Sequence, residues 1–327
     1  MMELLKELTS IYGPSGREDK VADFIIDNIK QYVDEVKKDT LGNVISVKKG
    51  KGQKKLMFAA HMDQIGVMIT FIDDNGFLRF TNIGGVNPYS LLFKRIVFKN
   101  GVEGIVSKEA KADIKDLNLK DMFIDIGAKN KEEAKQKVNI GEFGVFKSDF
   151  IDLGNSISSA AFDDRIGCYA LIEAAKRIKE NNGDIYFVFT VQEEVGLRGA
   201  KVAAYSIEPD IAIAVDVTGT GDTPNCNRMA VKFGEGAAIK IMDRGFIVHP
   251  QIKELLINVA ERNNIKYQYE ILEMGTTDAA EIHISKAGAP SGVVSIPTRY
   301  IHSHSETVDK DDLKAAIDLL VKVAEEF

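Results

Sequence analysis

Apolar residues along the chain recur either at spacings of three and four or in short continuous runs. The alternation of these two patterns predicts a mixed α/β protein. The opening residues read as a short amphipathic helix, and Tyr12-Gly13-Pro14-Ser15-Gly16 is a cluster of turn formers. Val21, Phe24, Ile25, Ile29 and Val33 then mark one face of a helix running from Glu18 to Val33. Asn43–Val47 alternates like a strand, and Lys54–Ala60 begins a more buried one. Further buried strands are expected over Asp184–Phe189, Ile211–Val215 and Gly292–Ile296, with another over Tyr267–Leu272. Helices are expected over Cys168–Ile178, Arg198–Tyr205, Pro250–Arg262, Asp278–Lys286 and Asp311–Glu326. Pro250 suits a first helical position, and Leu313, Ile317, Leu320 and Ala324 share one face of the last helix.

Between Val67 and Asn155 the pattern changes to short β-like runs. Asp74-Asn75-Gly76 and Asn100-Gly101 separate two pairs of them, and Asn-Gly is a strong hairpin signal. Only Lys131–Lys137 reads as helical, and the stretch holds no histidine or cysteine. The expected organisation is therefore an α/β domain formed by residues 1–66 and 156–327, interrupted by a β-rich insertion, 67–155, that acts as a lid or dimerisation surface.

Composition narrows the function classes. The formal net charge of -7 argues against a general nucleic-acid binder. No stretch approaches the roughly 20 apolar residues of a membrane span. Two distant cysteines, Cys168 and Cys226, fit a reducing, cytoplasmic setting and exclude a thiolate zinc cluster; Cys168 reads as core filler in a buried helix. The absence of tryptophan weakens a sugar-polymer enzyme, which usually stacks rings on aromatic platforms.

The candidate chemistry sits where the predicted strands end, the place at which open α/β sheets bind ligands. The strand after Lys54 ends in His61-Met62-Asp63, a spacing that puts a ligand and its orienting partner on one side. Asp184–Phe189 runs into Thr190-Val191-Gln192-Glu193-Glu194, and Ile211–Val215 into Asp216. Gly292–Ile296 is followed by Arg299-Tyr300-Ile301-His302-Ser303-His304. Asp163 and Asp164 precede a buried helix, where capping accounts for one carboxylate well and two less well. Of the five histidines, His249 reads as a loop residue and His283 as packed in the core or on the surface; His61 and His302 keep company with acids. His61, Asp163, Glu194, Asp216 and His302 together suit zinc, cobalt or manganese better than magnesium. Five ligands suit two ions about 3.5–4 Å apart with one carboxylate shared. Glu193 is then the natural general base for an activated water.

These motifs, His61-Met62-Asp63, Phe162-Asp163-Asp164-Arg165, Glu193-Glu194-Val195-Gly196, Val215-Asp216-Val217-Thr218 and Arg299-Tyr300-Ile301-His302-Ser303, carry a resemblance. In this order they resemble the dinuclear metallo-aminopeptidases of peptidase family 42. That family includes glutamyl and tetrahedral (TET) aminopeptidases, some carrying an older cellulase or endoglucanase label. The resemblance implies a mixed-sheet α/β/α metallopeptidase core with an inserted β-barrel-like domain. It implies His61 and Asp216 on one metal, Glu194 and His302 on the other, Asp163 bridging, Glu193 as base and Asp63 orienting His61. It further implies a cis peptide after Asp163, and a cytoplasmic homo-oligomer, commonly a dodecamer built from dimers. The substrates it implies are short peptides, cut after their first residue by a metal-activated water. Two positions depart from the pattern: His304 stands where many relatives have proline and is expected to be solvated or to face substrate, and Gln64 replaces a frequent glutamate. A metal-independent glycoside hydrolase and a non-catalytic metal-binding scaffold are the competing classes; the first leaves both histidines unexplained. Gly275-Thr276-Thr277-Asp278 resembles a substrate-facing loop.

Overall fold

The computed structural model describes residues 2–226 and 228–327; Met1, part of the expected first helix, and residue 227 lie outside the described residues. Four parallel strands make the centre of a mixed sheet, in the spatial order Asp184–Thr190, Lys55–His61, Ile211–Thr218, Ser291–Arg299. Helices cover both faces of these strands, which is why they read as near-continuous apolar runs. In Lys55–His61 alternate side chains serve opposite layers. Leu56, Phe58 and Ala60 join the core under the helices Phe162–Arg177 and Lys310–Glu326; Met57 and Ala59 pack with Ala200, Ala203 and Ala204 of Arg198–Ile207. The result is an α/β/α sandwich, as the resemblance implies.

Antiparallel strands extend the sheet on both sides. Val44–Lys48 and Glu35–Lys38 flank Asp184–Thr190, while Glu306–Asp309, Ser156–Ser159 and Ile151–Asp152 follow Ser291–Arg299. Ala237–Met242 also pairs with Ser291–Arg299 and carries Tyr267–Ile271. Several of these pieces are not expected from pattern alone, because they are short and depend on distant partners for their pairing.

Two expected helices are longer than those observed. The helix from Glu18 ends at Ile29, where the chain turns and Tyr32 N donates to Ile29 O. The helix expected over Asp278–Lys286 is only Ala279–Ile282. There the chain must reverse to enter Ser291–Arg299, and Ala289 N donates to His283 O while Lys286 and Gly288 take positive φ.

A closed barrel leaves the sheet after His61. Its strands are Gly66–Ile72, Leu78–Ile83, Arg95–Phe98, Glu103–Lys108, Met122–Asp125 and Phe143–Phe146. Closure removes free strand edges, and the barrel has its own core around Val67, Ile96, Phe98, Val106 and Ile124. Besides Lys131–Lys137 it contains the single-turn helix Pro88–Leu91 and two short 3₁₀ turns.

Candidate active site

Each strand of the parallel quartet delivers a predicted residue near its carboxyl end. The register sets Thr190 beside His61 and Asp216 beside Ser295, so the strand ends lie level. His61 ends its strand, Asp216 lies two residues before the end of another, and Glu193–Glu194 and His302 follow the other two. Asp163 comes from the start of Phe162–Arg177, whose backbone is not helical at Asp163 and Asp164; the peptide between them is cis.

The predicted residues converge. Asp163 occupies the middle, with Oδ1 2.9 Å from His61 Nε2 and Oδ2 3.1 Å from His302 Nε2. His302 Nε2 lies 3.2 Å from Glu194 Oε1. His61 Nε2 lies 3.9 Å from both Asp216 Oδ1 and Glu193 Oε2. On the other side of the same ring, His61 Nδ1 is 3.4 Å from Asp63 Oδ1 and 3.2 Å from its backbone oxygen. Asp164 does the capping: its Oδ1 accepts Gly167 N at 3.1 Å and its Oδ2 accepts His61 N at 3.2 Å. Asp163 is thereby left for the centre of the site.

So many buried carboxylates need a cation. Burial pushes the carboxyls of Glu193 and Asp216 well up, and like charges add to it, Asp216 on Glu193 and Asp163 on Asp216. Burial also raises Glu194. Burial would raise Asp163 too, but hydrogen bonds with His302 and His61 hold it below the usual carboxylate range. Glu194 Oε1 is buried and has no directed hydrogen bond. His61, Asp163 and Glu194 present ligand atoms within 4.8 Å of one another, as do His61, Asp164 and Asp216. This mixture of imidazole nitrogen and carboxylate oxygen fits divalent metal ions.

Several supporting residues escape sequence reasoning. Glu306 is buried, and one carboxylate spans two candidate ligands: Oε2 accepts Asp163 N at 2.9 Å and Oε1 accepts His302 N at 2.8 Å. Its position four residues beyond His302, at the start of a short strand, is the only available signal. Of the loop expected to face substrate, Gly275, Thr276 and Thr277 line the cleft, whereas Asp278 does not and accepts Thr190 Oγ1 at 2.5 Å. The barrel forms one wall. A Cβ on Gly85 would come within 2.6 Å of His302 Nδ1, and one on Gly84 within 2.8 Å of Glu194 Oε2. His304 is not among the cleft-lining residues. Its Nδ1 is buried without a partner, and its carbonyl accepts Ser148 Oγ at 2.7 Å.

Glu18 also lies close by, 6% exposed. Burial, helped by the charge of Asp63, raises its carboxyl from 4.5 to about 7 against N–H bonds from Gly16 and Gln192. The folded state therefore holds this proton more tightly than the unfolded chain. That contribution to stability is complete below the unfolded value and is lost as pH rises through 7. The stability of the protein relative to Glu18→Gln should fall by up to roughly 3 kcal/mol between pH 4 and 8. Urea unfolding of both forms across this range tests it, and a difference independent of pH would contradict it.

Comparison with known proteins shows the family. Residues 42–319 match the family model described as M42 glutamyl aminopeptidase. The chain belongs to the M42 peptidase family. Among M42 relatives, a lysyl aminopeptidase of Pyrococcus furiosus is 38% identical over 339 residues, covering 99% of this chain and 97% of that protein. An aminopeptidase from the archaeon Desulfurococcus kamchatkensis superimposes with a TM-score of 0.96 at 42% identity, over 100% of this chain and 94% of that one. The TET1 peptidase of Pyrococcus horikoshii, which can assemble into a tetrahedron or a large octahedral shell, superimposes with a TM-score of 0.89 at 36% identity, over 100% and 99% of the two chains. This M42 chain is a metal-dependent aminopeptidase.

Proposed function

We propose that the enzyme removes the first residue from short peptides with a free α-amine, using two divalent ions per chain, zinc or cobalt, with manganese as a further candidate. His61 and Asp216 would hold one ion and Glu194 and His302 the other, with Asp163 shared. The observation that carries this assignment is Asp163 itself, whose two oxygens address different histidines. When bound, the ions supply Lewis acidity for the attacking water and the scissile carbonyl. Glu193 takes the proton of the water at its carboxylate and returns it to the leaving amine nitrogen. A carboxyl pushed up by burial is suited to hold that proton between the two transfers. Asp63 keeps Nδ1 of His61 occupied, so that Nε2 faces the site.

The cleft, about 580 Å³, admits a peptide end and excludes folded protein. Leu197, Leu272, Met274 and Ile301 line it with Thr218 and Thr276, and its acids are those of the proposed metal centre. No lysine or arginine is among the lining residues. The buried cation nearby, Lys240, is taken up by Glu270 at 2.6 Å and Asp243 at 3.7 Å. Neutral first residues should therefore be cleaved with at least about tenfold higher kcat/KM than glutamyl or lysyl ones. A panel of aminoacyl substrates measures this.

The deciding experiment titrates the protein with metal and compares free and N-acetylated peptides. Two ions per chain and cleavage of free peptides alone are expected; equal cleavage of both kinds would refute an aminopeptidase. A metal-independent glycosidase is not favoured, since the histidines engage carboxylates that it would need free. Assembly into a homo-oligomer, a dodecamer built from dimers in the cytoplasm, belongs to the same proposal. Exposed Tyr89, Phe93, Ile105 and Ile114 on the barrel support a dimerisation role for it. No helix of the described residues is long and apolar enough to cross a membrane.

A further inference from the structure

Three consecutive backbone N–H groups in the turn that carries Glu193 and Glu194 are held by carboxylates from elsewhere in the chain. Gln192 N donates to Glu18 Oε1 at 3.1 Å, Glu193 N to Asp63 Oδ1 at 3.0 Å, and Glu194 N to Asp63 Oδ2 at 3.3 Å. Ser15 Oγ donates to the same Asp63 Oδ2 at 2.6 Å. Gln192 takes a positive φ of 55°, which a residue with a Cβ adopts reluctantly, so the turn needs an outside hold to keep this shape.

That hold is itself anchored. Glu18 Oε1 accepts Gly16 N at 2.7 Å as well as Gln192 N, tying the turn formers of the N-terminal segment to the strand end. Gly13 O accepts Gln64 N at 3.2 Å and Arg165 Nη2 at 3.2 Å. The guanidinium of Arg165, fully buried, also donates to Met62 O at 2.6 Å and Leu8 O at 2.8 Å. A Cβ on Gly13 would come within 2.5 Å of Val21 and 2.8 Å of Arg165, so the segment packs too closely to shift. A path of direct contacts thus runs from Arg165 in the helix Phe162–Arg177, through residues 13–18, to the turn with Glu193 and Glu194.

We propose that Glu18 and Ser15 are positioning residues of the catalytic centre, fixing the peptide planes from which Glu193 and Glu194 diverge. The proposal rests on the assignment of Glu193 as base and Glu194 as ligand made above. Neither residue is among those that line the cleft. Glu18 acts by accepting two N–H groups on one oxygen, which a glutamine amide oxygen can also do. Ser15 acts by orienting the carboxylate of Asp63.

The test compares Glu18→Ala, Glu18→Gln and Ser15→Ala in the full, metal-loaded enzyme. Glu18→Ala should lower kcat by roughly 10–100-fold, since small displacements of a catalytic group have effects of this size, and leave KM within about twofold. Its cobalt-loaded form should keep two ions per chain with a shifted visible absorption spectrum, because Glu194 is reoriented. Glu18→Gln should restore most of kcat and the original spectrum. Ser15→Ala, which deletes one hydroxyl and keeps the chain folded if Glu18→Ala does not, should lower kcat by about 3–10-fold with the same split. An unchanged kcat and spectrum in folded Glu18→Ala, or in Ser15→Ala should the former not fold, would overturn the proposal. So would a loss that follows the unfolded fraction in thermal melts, or a Gln variant as impaired as the Ala one. Failure of the base assignment would show separately, as full activity in Glu193→Gln, while the cobalt spectrum would still report whether Glu18 sets the turn.

Discussion

Glu193→Gln should keep two ions per chain and lose roughly 10²–10⁴-fold in kcat. Glutamine preserves the size of the side chain, and Glu193 is not in the proposed ligand set. Its Oε2 lies 3.9 Å from His61 Nε2. The backbone bond from Glu193 N to Asp63 does not involve the side chain, so the turn keeps its shape. What glutamine lacks is a group that takes a proton from water and gives it to an amine. The loss should therefore appear in kcat with little change in KM, as befits an interaction used only in the transition state. Metal analysis and steady-state kinetics on one preparation decide it. A variant that retains both ions and normal turnover would remove Glu193 from its role; one that loses an ion would make it a ligand.

Asp163→Ala should have the larger structural effect. Asp163 offers one oxygen toward each histidine, so its removal takes a ligand from both proposed ions at once. Metal content should fall from two ions per chain to at most one, and peptide cleavage should become undetectable. Asp216→Ala provides the contrast, because Asp216 approaches His61 and is absent from the contacts of His302. It should weaken one ion and spare the other. Equilibrium titration of both variants with zinc measures the difference. Equal losses in the two variants would argue against a shared carboxylate.

The parts of the molecule legible in the sequence are those whose signal is local. The central strands are buried on both faces, so Asp184–Thr190 and Ile211–Thr218 stand out as apolar runs with acids just beyond or near their carboxyl ends. His61 and His302 are legible for a similar reason, because each follows such a run. Glu306 and Glu18 are hidden because their partners are backbone N–H groups, 143 and 174 residues away in the cases of Asp163 and Gln192, and no spacing encodes that. Glutamates are ordinarily surface residues, so burial of these two is a tertiary result. In the sequence Asp163 and Asp164 are ambiguous between capping and catalysis for a physical reason: adjacent carboxylates at one helix start point to different tasks, Asp164 to Gly167 N and Asp163 to the histidines. The strand Ala237–Met242 is not legible in the sequence, since its pairing with Ser291–Arg299 and Tyr267–Ile271 supplies most of the reason for it to be extended.

The barrel leaves and rejoins the core through neighbouring strands, with Val67 paired to Gly144 and Met68 to Phe143. His61 and Asp163 are 102 residues apart in the chain, yet with the barrel closed they are joined by an effective tether of roughly twenty-five residues. Loop-closure entropy grows with the logarithm of length, so this shortening eases their meeting by roughly 1 kcal/mol. Any compact module with adjacent ends would do the same. The insertion can therefore differ widely in size and surface among chains of this architecture without separating the two residues that it lies between.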